Sequence, residues 1–241
     1  MPRWVLALAV VLVLQTIAAF LTRLVPVLSP AFMAEFGWDE SWIGYLTAAN
    51  MVGAMCMLAG GMRLLRRVGS LLVLQLTIMI GAGALLLLQL PLVAAALLAN
   101  ALIGLSNGTA TPAGSAVLMR HRPAAHHNLV FSIRQAGVPL GGVAAGLAVP
   151  LMADWAGWRG AVLVSAVGAF AVTALLLPLR TRIDGPGEPV PLRWPGLHDI
   201  AQPLRSVAAP PELRRIVLAG GVFSVAQAVW LAFAVTDLVV A

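Results

Sequence analysis

The sequence has no lysine, a single cysteine (Cys56) and only nine acidic residues among 241. Without lysine there is no phosphate-binding glycine loop of the kind that ends in Lys, so ATP-driven pumping has no support. One cysteine excludes an internal disulfide and any cysteine metal cluster. The four histidines, His121, His126, His127 and His198, all fall in loops between apolar runs. They lack helical i, i+4 spacing and carboxylate companions, so no zinc site is expected. His126 and His127 stand beside Arg120 and Arg122, as a solvated loop or as a contact to lipid head groups. Ser115 and Ser132 lack the motif context of a nucleophile. No acid, base, nucleophile or metal set converges, so neither enzymatic chemistry nor a cofactor is expected. Charged residues make up 10% of the chain, against roughly 25% in soluble domains. That composition could not cover a water-facing surface.

Apolar residues are abundant instead. Sixty-one per cent of the chain is hydrophobic, and its mean hydropathy is +0.95. About 20 apolar residues span a bilayer core as a helix. Residues 4–22, 41–62, 135–153, 160–179 and 216–236 each supply one such run, and residues 68–119 supply a double one. The double run divides at Gln89, Leu90 and Pro91. Seven spans result, and each must be a helix because lipid offers no partner for an open backbone. The first run is too long for the apolar region of a signal peptide and ends in no small-residue cleavage site, so it is read as a span.

The net charge of +6 comes entirely from arginine. These arginines sit in short clusters between apolar runs, which marks membrane orientation and not a nucleic-acid surface. Twelve of the fifteen lie before the first span or in alternate loops: Arg3; Arg63, Arg66 and Arg67; Arg120 and Arg122; Arg180, Arg182, Arg193, Arg205, Arg214 and Arg215. The opposite loops carry Glu35, Asp39, Glu40, Asp154 and one arginine, Arg159. The positive-inside rule therefore places the N-terminus in the cytoplasm of a multi-pass inner (plasma) membrane protein. The expected fold is all-α. Residues 1–182 form a six-helix transmembrane bundle, residues 183–211 a Pro/Gly-rich cytoplasmic linker, and residues 212–241 a seventh transmembrane helix. Seven prolines in the linker preclude a continuous helix. Residues 197–207 within it read as a weakly amphipathic stretch at the membrane surface.

Several local patterns then resemble a known family. Arg23, Pro26, Pro30, Phe36-Gly37-Trp38 and Trp42-Ile43-Gly44 are similar to helix 1, the first outer loop and the start of helix 2 of the major facilitator superfamily. Residues 61–69, from Gly61 through Arg66 and Arg67 to Gly69, lie where that family places its signature loop. Arg67-Val68-Gly69 matches its basic-x-Gly part, whereas Arg66 stands where the family has an acidic residue and Ser70 where it has a basic one. The loop is read either as a gate or as a plain positive-inside loop. Gly104, Gly108 and Pro112 resemble helix 4, with Asn100 at the place of its frequent arginine. Gly137, Pro139, Gly141 and Gly142 resemble the helix 5 motif, and Asp154 with Gly157-Trp158-Arg159 resembles the approach to helix 6. Within the superfamily the helix 5 text most resembles the cyanate and nitroimidazole permease branch. The resemblance implies about twelve helices in two halves with substrate bound between them. The chain would then be one half plus one helix, either a truncated product or one part of an assembly with a second chain.

Charge and polarity inside the apolar runs mark the candidate site. A central arginine costs about 2.5–3.5 kcal/mol to insert. Arg23 and Arg134 either snorkel to an interface or face substrate, where the guanidinium fork suits a planar anion. Gln15, Asn50, Asn107 and Gln135, with Thr16 and Thr111, are the polar companions, each readable alternatively as an interhelical hydrogen bond. The pairs Gly104/Gly108, Gly137/Gly141 and Gly142/Gly146 permit close helix approach, within the bundle or as a sliding seam against a second half. No Asp or Glu lies in the first six runs, so proton coupling has no carboxylate candidate here; Asp237 falls near the outer end of the seventh. The expected function is secondary-active transport of a small organic or inorganic anion by alternating access. A multidrug-type efflux carrier and a non-transporting sensor or assembly module are the alternatives.

Overall fold

The structure is a computed structural model that describes residues 2–39, 41–121, 126–185 and 210–240. Among them the regular structure is entirely helical. In chain order the helices are α1 (Arg3–Phe36), α2 (Ser41–Val68), α3 (Ser70–Ala84), α4 (Val93–His121), α5 (His127–Gln135), α6 (Gly137–Leu176), α7 (Arg180–Ile183) and α8 (Pro211–Val240). Short 3-10 segments, Leu85–Gln89 and Leu177–Leu179, extend α3 and α6. Among the described residues, five stretches are long and apolar enough to cross a membrane: Arg3–Phe36, Ser41–Val68, Ser70–Gln89, Val93–His121 and Asn128–Ile183. The chain divides into two units, Met1–Leu192 and Arg193–Ala241. Helix α8 is the described part of the second. Most of the proline-rich linker, including residues 197–207, lies outside the described residues, as do Arg122, Glu40 and the side chain of Asp237.

Helix boundaries differ from those of the apolar runs for identifiable reasons. Arg23 does not end α1, which continues to Phe36 through Pro26 and Pro30. A proline removes the hydrogen bond its N–H would give to the carbonyl four residues earlier. Pro30 thereby frees the carbonyl of Pro26, and the Ser29 hydroxyl donates to that oxygen at 2.8 Å. The freed group is satisfied without water. The double run breaks after Gln89, with Leu90 extended, before α4 starts at Val93.

The 40-residue α6 is two limbs and not one rod. Gly157 has φ 70° and ψ 169°, a conformation open to glycine and strained for other residues. On the first limb Gly137 packs against Leu12 and Gln15 of α1, and Gly141 against Thr16 and Phe20. Beyond the break, the Trp158 indole N–H donates to Glu35 at the far end of α1 at 2.6 Å. The second limb ends where Gln75 of α3 donates to the carbonyl of Leu176 at 2.8 Å. Leu140 and Val172 line one cavity together with Leu12. The limbs therefore run antiparallel alongside α1.

Packing and polarity are decoupled in this bundle. On α2 the buried positions Ile43, Leu46, Asn50, Gly53, Ala54, Met57, Gly61 and Leu65 recur every three or four residues. The opposite face of α2 is also apolar, with Val52, Met55 and Leu58 exposed. A helix that is hydrophobic all round belongs in lipid. Lipid gives apolar helices no hydrophobic reason to associate, so association rests on close contact. Glycine supplies it along two seams. A methyl group added at Gly53 would strike the backbone of Ala101. One at Gly104 would strike that of Asn50, and one at Gly108 that of Ala54. Gly141 is equally tight against Thr16 and Phe20 of α1. Gly142 and Gly146 have nothing within 4 Å of an added methyl.

Substituting Gly104→Ala should therefore cost about 1–3 kcal/mol, the usual penalty of overpacking. It should lower the melting temperature of the detergent-solubilised protein. Gly146→Ala meets no atom, gains helix propensity and should leave that temperature unchanged or raised. Equal losses in both variants would refute the seam.

Candidate functional site

Arg134, in the last turn of α5, is 5% exposed. Its Nη1 donates to the Thr111 carbonyl on α4 at 3.2 Å, and its Nη2 to Gln135 Oε1 at 3.1 Å. The guanidinium carbon stands 5.7 Å from the Phe131 ring centroid. Gly114 makes room for it: a methyl there would lie 3.3 Å from Nη1 and 2.9 Å from Val11 of α1. The Arg134 Nε has no partner among the described residues. None of them places a carboxylate within ion-pair distance of the guanidinium. A buried cation without a counter-charge is costly in a low-dielectric interior, and this one is compensated only by neutral acceptors and a ring face.

One helical turn away, Gln15 of α1 is 1% exposed, and neither its amide nitrogen nor its amide oxygen has a partner. It packs on Gly137, three residues after Arg134. Unpaired buried amide atoms each cost about 1–3 kcal/mol. The two Gln15 amide atoms and Arg134 Nε are thus three buried polar atoms without a partner among the described residues, close together in the bundle interior. Gln135 is exposed beside it, and Asn107, half-buried, precedes Thr111 by one turn on α4. The structure thus groups Gln15, Arg134 and Gln135, with Asn107 a turn away. It sets two other candidates apart. Asn50 is buried in the α2–α4 seam, its Nδ2 donating to the Asn100 carbonyl at 3.2 Å. Arg23 lies eight residues beyond Gln15, about 12 Å along α1, and is half-buried.

At the arginine-rich end the short loop between α2 and α3 holds a residue that the sequence did not single out. Asp184, just past α7, accepts hydrogen bonds from the backbone N–H groups of Leu71 and Leu72, each at 3.0 Å. Its carboxylate thus caps the open N-terminus of α3, where anions are favoured. Gly69 makes this possible: its φ is 114°, and a methyl there would lie 2.5 Å from the Asp184 carboxylate. His121 is tied to the Ile183 carbonyl at 2.8 Å. Arg66 and Arg67 are exposed at the end of α2, and Arg66 is engaged in contacts of its own. Gly61 faces only the flexible end of Met57. Pro139 is the third residue of α6; its missing N–H frees the Gln135 carbonyl, which coincides with the break between α5 and α6. Asp184 was legible only as part of the linker, because its partner lies more than 110 residues away.

The opposite end is aromatic. Phe32, Phe36, Trp38, Trp42, Tyr45 and Trp158 form a chain of ring contacts with centroids 5.2–6.1 Å apart. Arg159 stacks on Trp158 at 4.6 Å and pairs with Glu35, which also accepts from the Trp158 indole. Both charged partners are well exposed, so the pair fixes geometry more than it adds stability. Among the described residues no group of His, Cys, Asp and Glu could hold a metal ion.

Removing the Asp184 cap should cost about 1–3 kcal/mol. Asp184→Ala should lower the melting temperature in detergent and speed hydrogen exchange at the amides of residues 71 and 72. Asp184→Asn should fall between it and the native chain. Unchanged exchange at those amides in Asp184→Ala would remove the cap from the account.

No curated protein matches the chain. The family model of the Major Facilitator Superfamily matches residues 8–240. That match spans nearly the whole chain, and apolar helices wide open to lipid agree with it. The chain belongs to the major facilitator superfamily and is a multi-pass membrane protein of that transporter family.

Proposed function

We propose that the chain is one half of a secondary-active carrier of a small organic or inorganic anion, with one further helix. The observation that carries this reading is the buried, carboxylate-free Arg134 beside the unpaired amide of Gln15. Arg134 Nε and Gln15 Nε2 are donors that lack acceptors, and an anion supplies them. A guanidinium with one edge held by Thr111 and Gln135 keeps its Nε–H available. Its fixed plane favours carboxylate or another planar anion over a spherical one. Gln15 Oε1 would take a hydroxyl or N–H of the same substrate. Arg23 is a second cationic contact farther along the path.

In this reading residues 1–182 cross the membrane six times, the two limbs of α6 counting separately, and α8 starts the second half. The N-terminus and the arginine-rich loops face the cytoplasm of the inner membrane, and the aromatic end faces outward at the depth where Trp and Tyr settle. A second half completes the cavity, and rocking of the halves exposes Arg134 alternately to each side. The α2–α3 loop with its Asp184 cap moves as part of the inner gate.

Arg134→Gln should reduce uptake by roughly thirtyfold or more, since losing the charged partner of a desolvated anion costs about 2–5 kcal/mol. The assay is uptake of nitrate, cyanate, acetate and lactate into proteoliposomes carrying the chain with its completing half. Arg134→Lys should retain part of the activity, and Arg23→Gln should lose less. Full anion uptake by Arg134→Gln, or transport confined to neutral and cationic compounds, would sink the anion reading.

The orientation has its own check. In a Cys56-free background, a thiol reagent that cannot cross membranes should label Asp154→Cys on intact cells. It should label Arg66→Cys only after the cells are opened. The reverse pattern would invert the topology.

A further inference from the structure

We propose a second ligand site in this chain, separate from the Arg134 cluster, that takes a neutral apolar small molecule bearing one hydrogen-bond acceptor. Between α1 and the two limbs of α6 lies a cavity of about 480 Å³. That is within the range of roughly 300–1,000 Å³ typical of small-molecule sites. Its wall is apolar, with Leu12, Ile17, Phe20, Leu140 and Val172 among the lining side chains and Thr16 and Ser165 as the hydroxyl-bearing residues.

Ser165 is what distinguishes this cavity from a plain apolar gap. Buried hydroxyls in apolar helices ordinarily bond a carbonyl of their own helix. Thr16, in the same wall, donates to Leu12 at 2.9 Å. Ser29, Thr77, Ser106, Thr109 and Thr173 do likewise. Ser165 is 5% exposed, and its Oγ has no partner among the described residues. It lies seven residues past Trp158 on the second limb, about 10 Å along the helix, within the apolar span where water is scarce. Turning about χ1, its hydroxyl becomes a donor for a ligand in the cavity. The remaining wall rewards apolar surface and repels charge, so the ligand is neutral. It enters from the bilayer, which concentrates such compounds.

Gly168 gives the site a clean control. It lines the cavity, and a methyl added there meets nothing within 4 Å. A larger side chain at this position fills the cavity without moving backbone.

Benzophenone tests the proposal, since it carries one carbonyl between two rings and crosslinks to nearby C–H bonds on illumination. The chain is reconstituted in phosphatidylethanolamine–phosphatidylglycerol nanodiscs, labelled, digested and mapped by mass spectrometry. Labelling should concentrate on α1 and both limbs of α6. Gly168→Leu should abolish it while the melting temperature stays at or above that of the native chain. Ser165→Ala should weaken it about fivefold, the effect of one ordinary net hydrogen bond. Competition by diphenylmethane, which lacks the carbonyl, should be unaffected by Ser165→Ala. Labelling spread evenly over lipid-facing helices and insensitive to Gly168→Leu would overturn the site. So would equal preference for ketone and hydrocarbon in the native chain, which would mark the gap as a seat for bilayer acyl chains.

Discussion

Lipid supplies no hydrophobic force to bring two apolar helices together, and this one fact governs the bundle. Cohesion has to come from short-range contact. Gly53, Gly104 and Gly108 let α2 and α4 touch backbone to backbone, and Gly137 with Gly141 does the same for α1 and the first limb of α6. Large apolar residues that a soluble protein would bury, such as Met55 and Leu147, point outward at no cost. Gly114 of α4 lets Val11 of α1 come close, and Arg134 of α5 is held beside it by the Thr111 carbonyl.

The same solvent forbids idle polar groups, and most are accounted for locally. Ser29 takes the carbonyl freed by Pro30, Thr and Ser hydroxyls return to their own helices, and Asp184 closes the N-terminus of α3. Against that background the exceptions stand out. Gln15, Arg134 Nε and Ser165 have donors without partners among the described residues, and the Asn50 and Gln75 amide oxygens also lack partners there; an unpaired donor is most costly in a membrane interior. Gln15 packs in the α1–α6 seam with Arg134 close by against α4, and Ser165 lines a separate cavity. They mark two places of different chemistry, one cationic and polar and the other neutral and apolar.

Much of the fold was legible in the pattern of apolar runs. The division at Leu90, the turn before Trp158 and the cluster of arginines at one end can all be read from runs, glycine and charge. Boundaries were less legible, because the charge-free run stops at Thr22 although the helix continues through Arg23 to Phe36. The candidate site was half legible. Arg134 and Gln15 were recognisable as polar residues in apolar text, yet nothing in their spacing told that the fold brings them near each other while Asn50 sits in the α2–α4 seam. Asp184 was hidden inside a proline-rich stretch, since the backbone groups it caps lie far away in sequence.

Composition and run length by themselves determined the solvent and the helical class of the protein. Each of these follows from free energies that scale with residue type: transfer to lipid, backbone pairing, and the placement of arginine. Tertiary structure decided which small residues are seams and which are open, which polar atoms find partners, and which are left without. Those outcomes depend on the distance between residues remote in sequence, and a linear pattern carries no such distance.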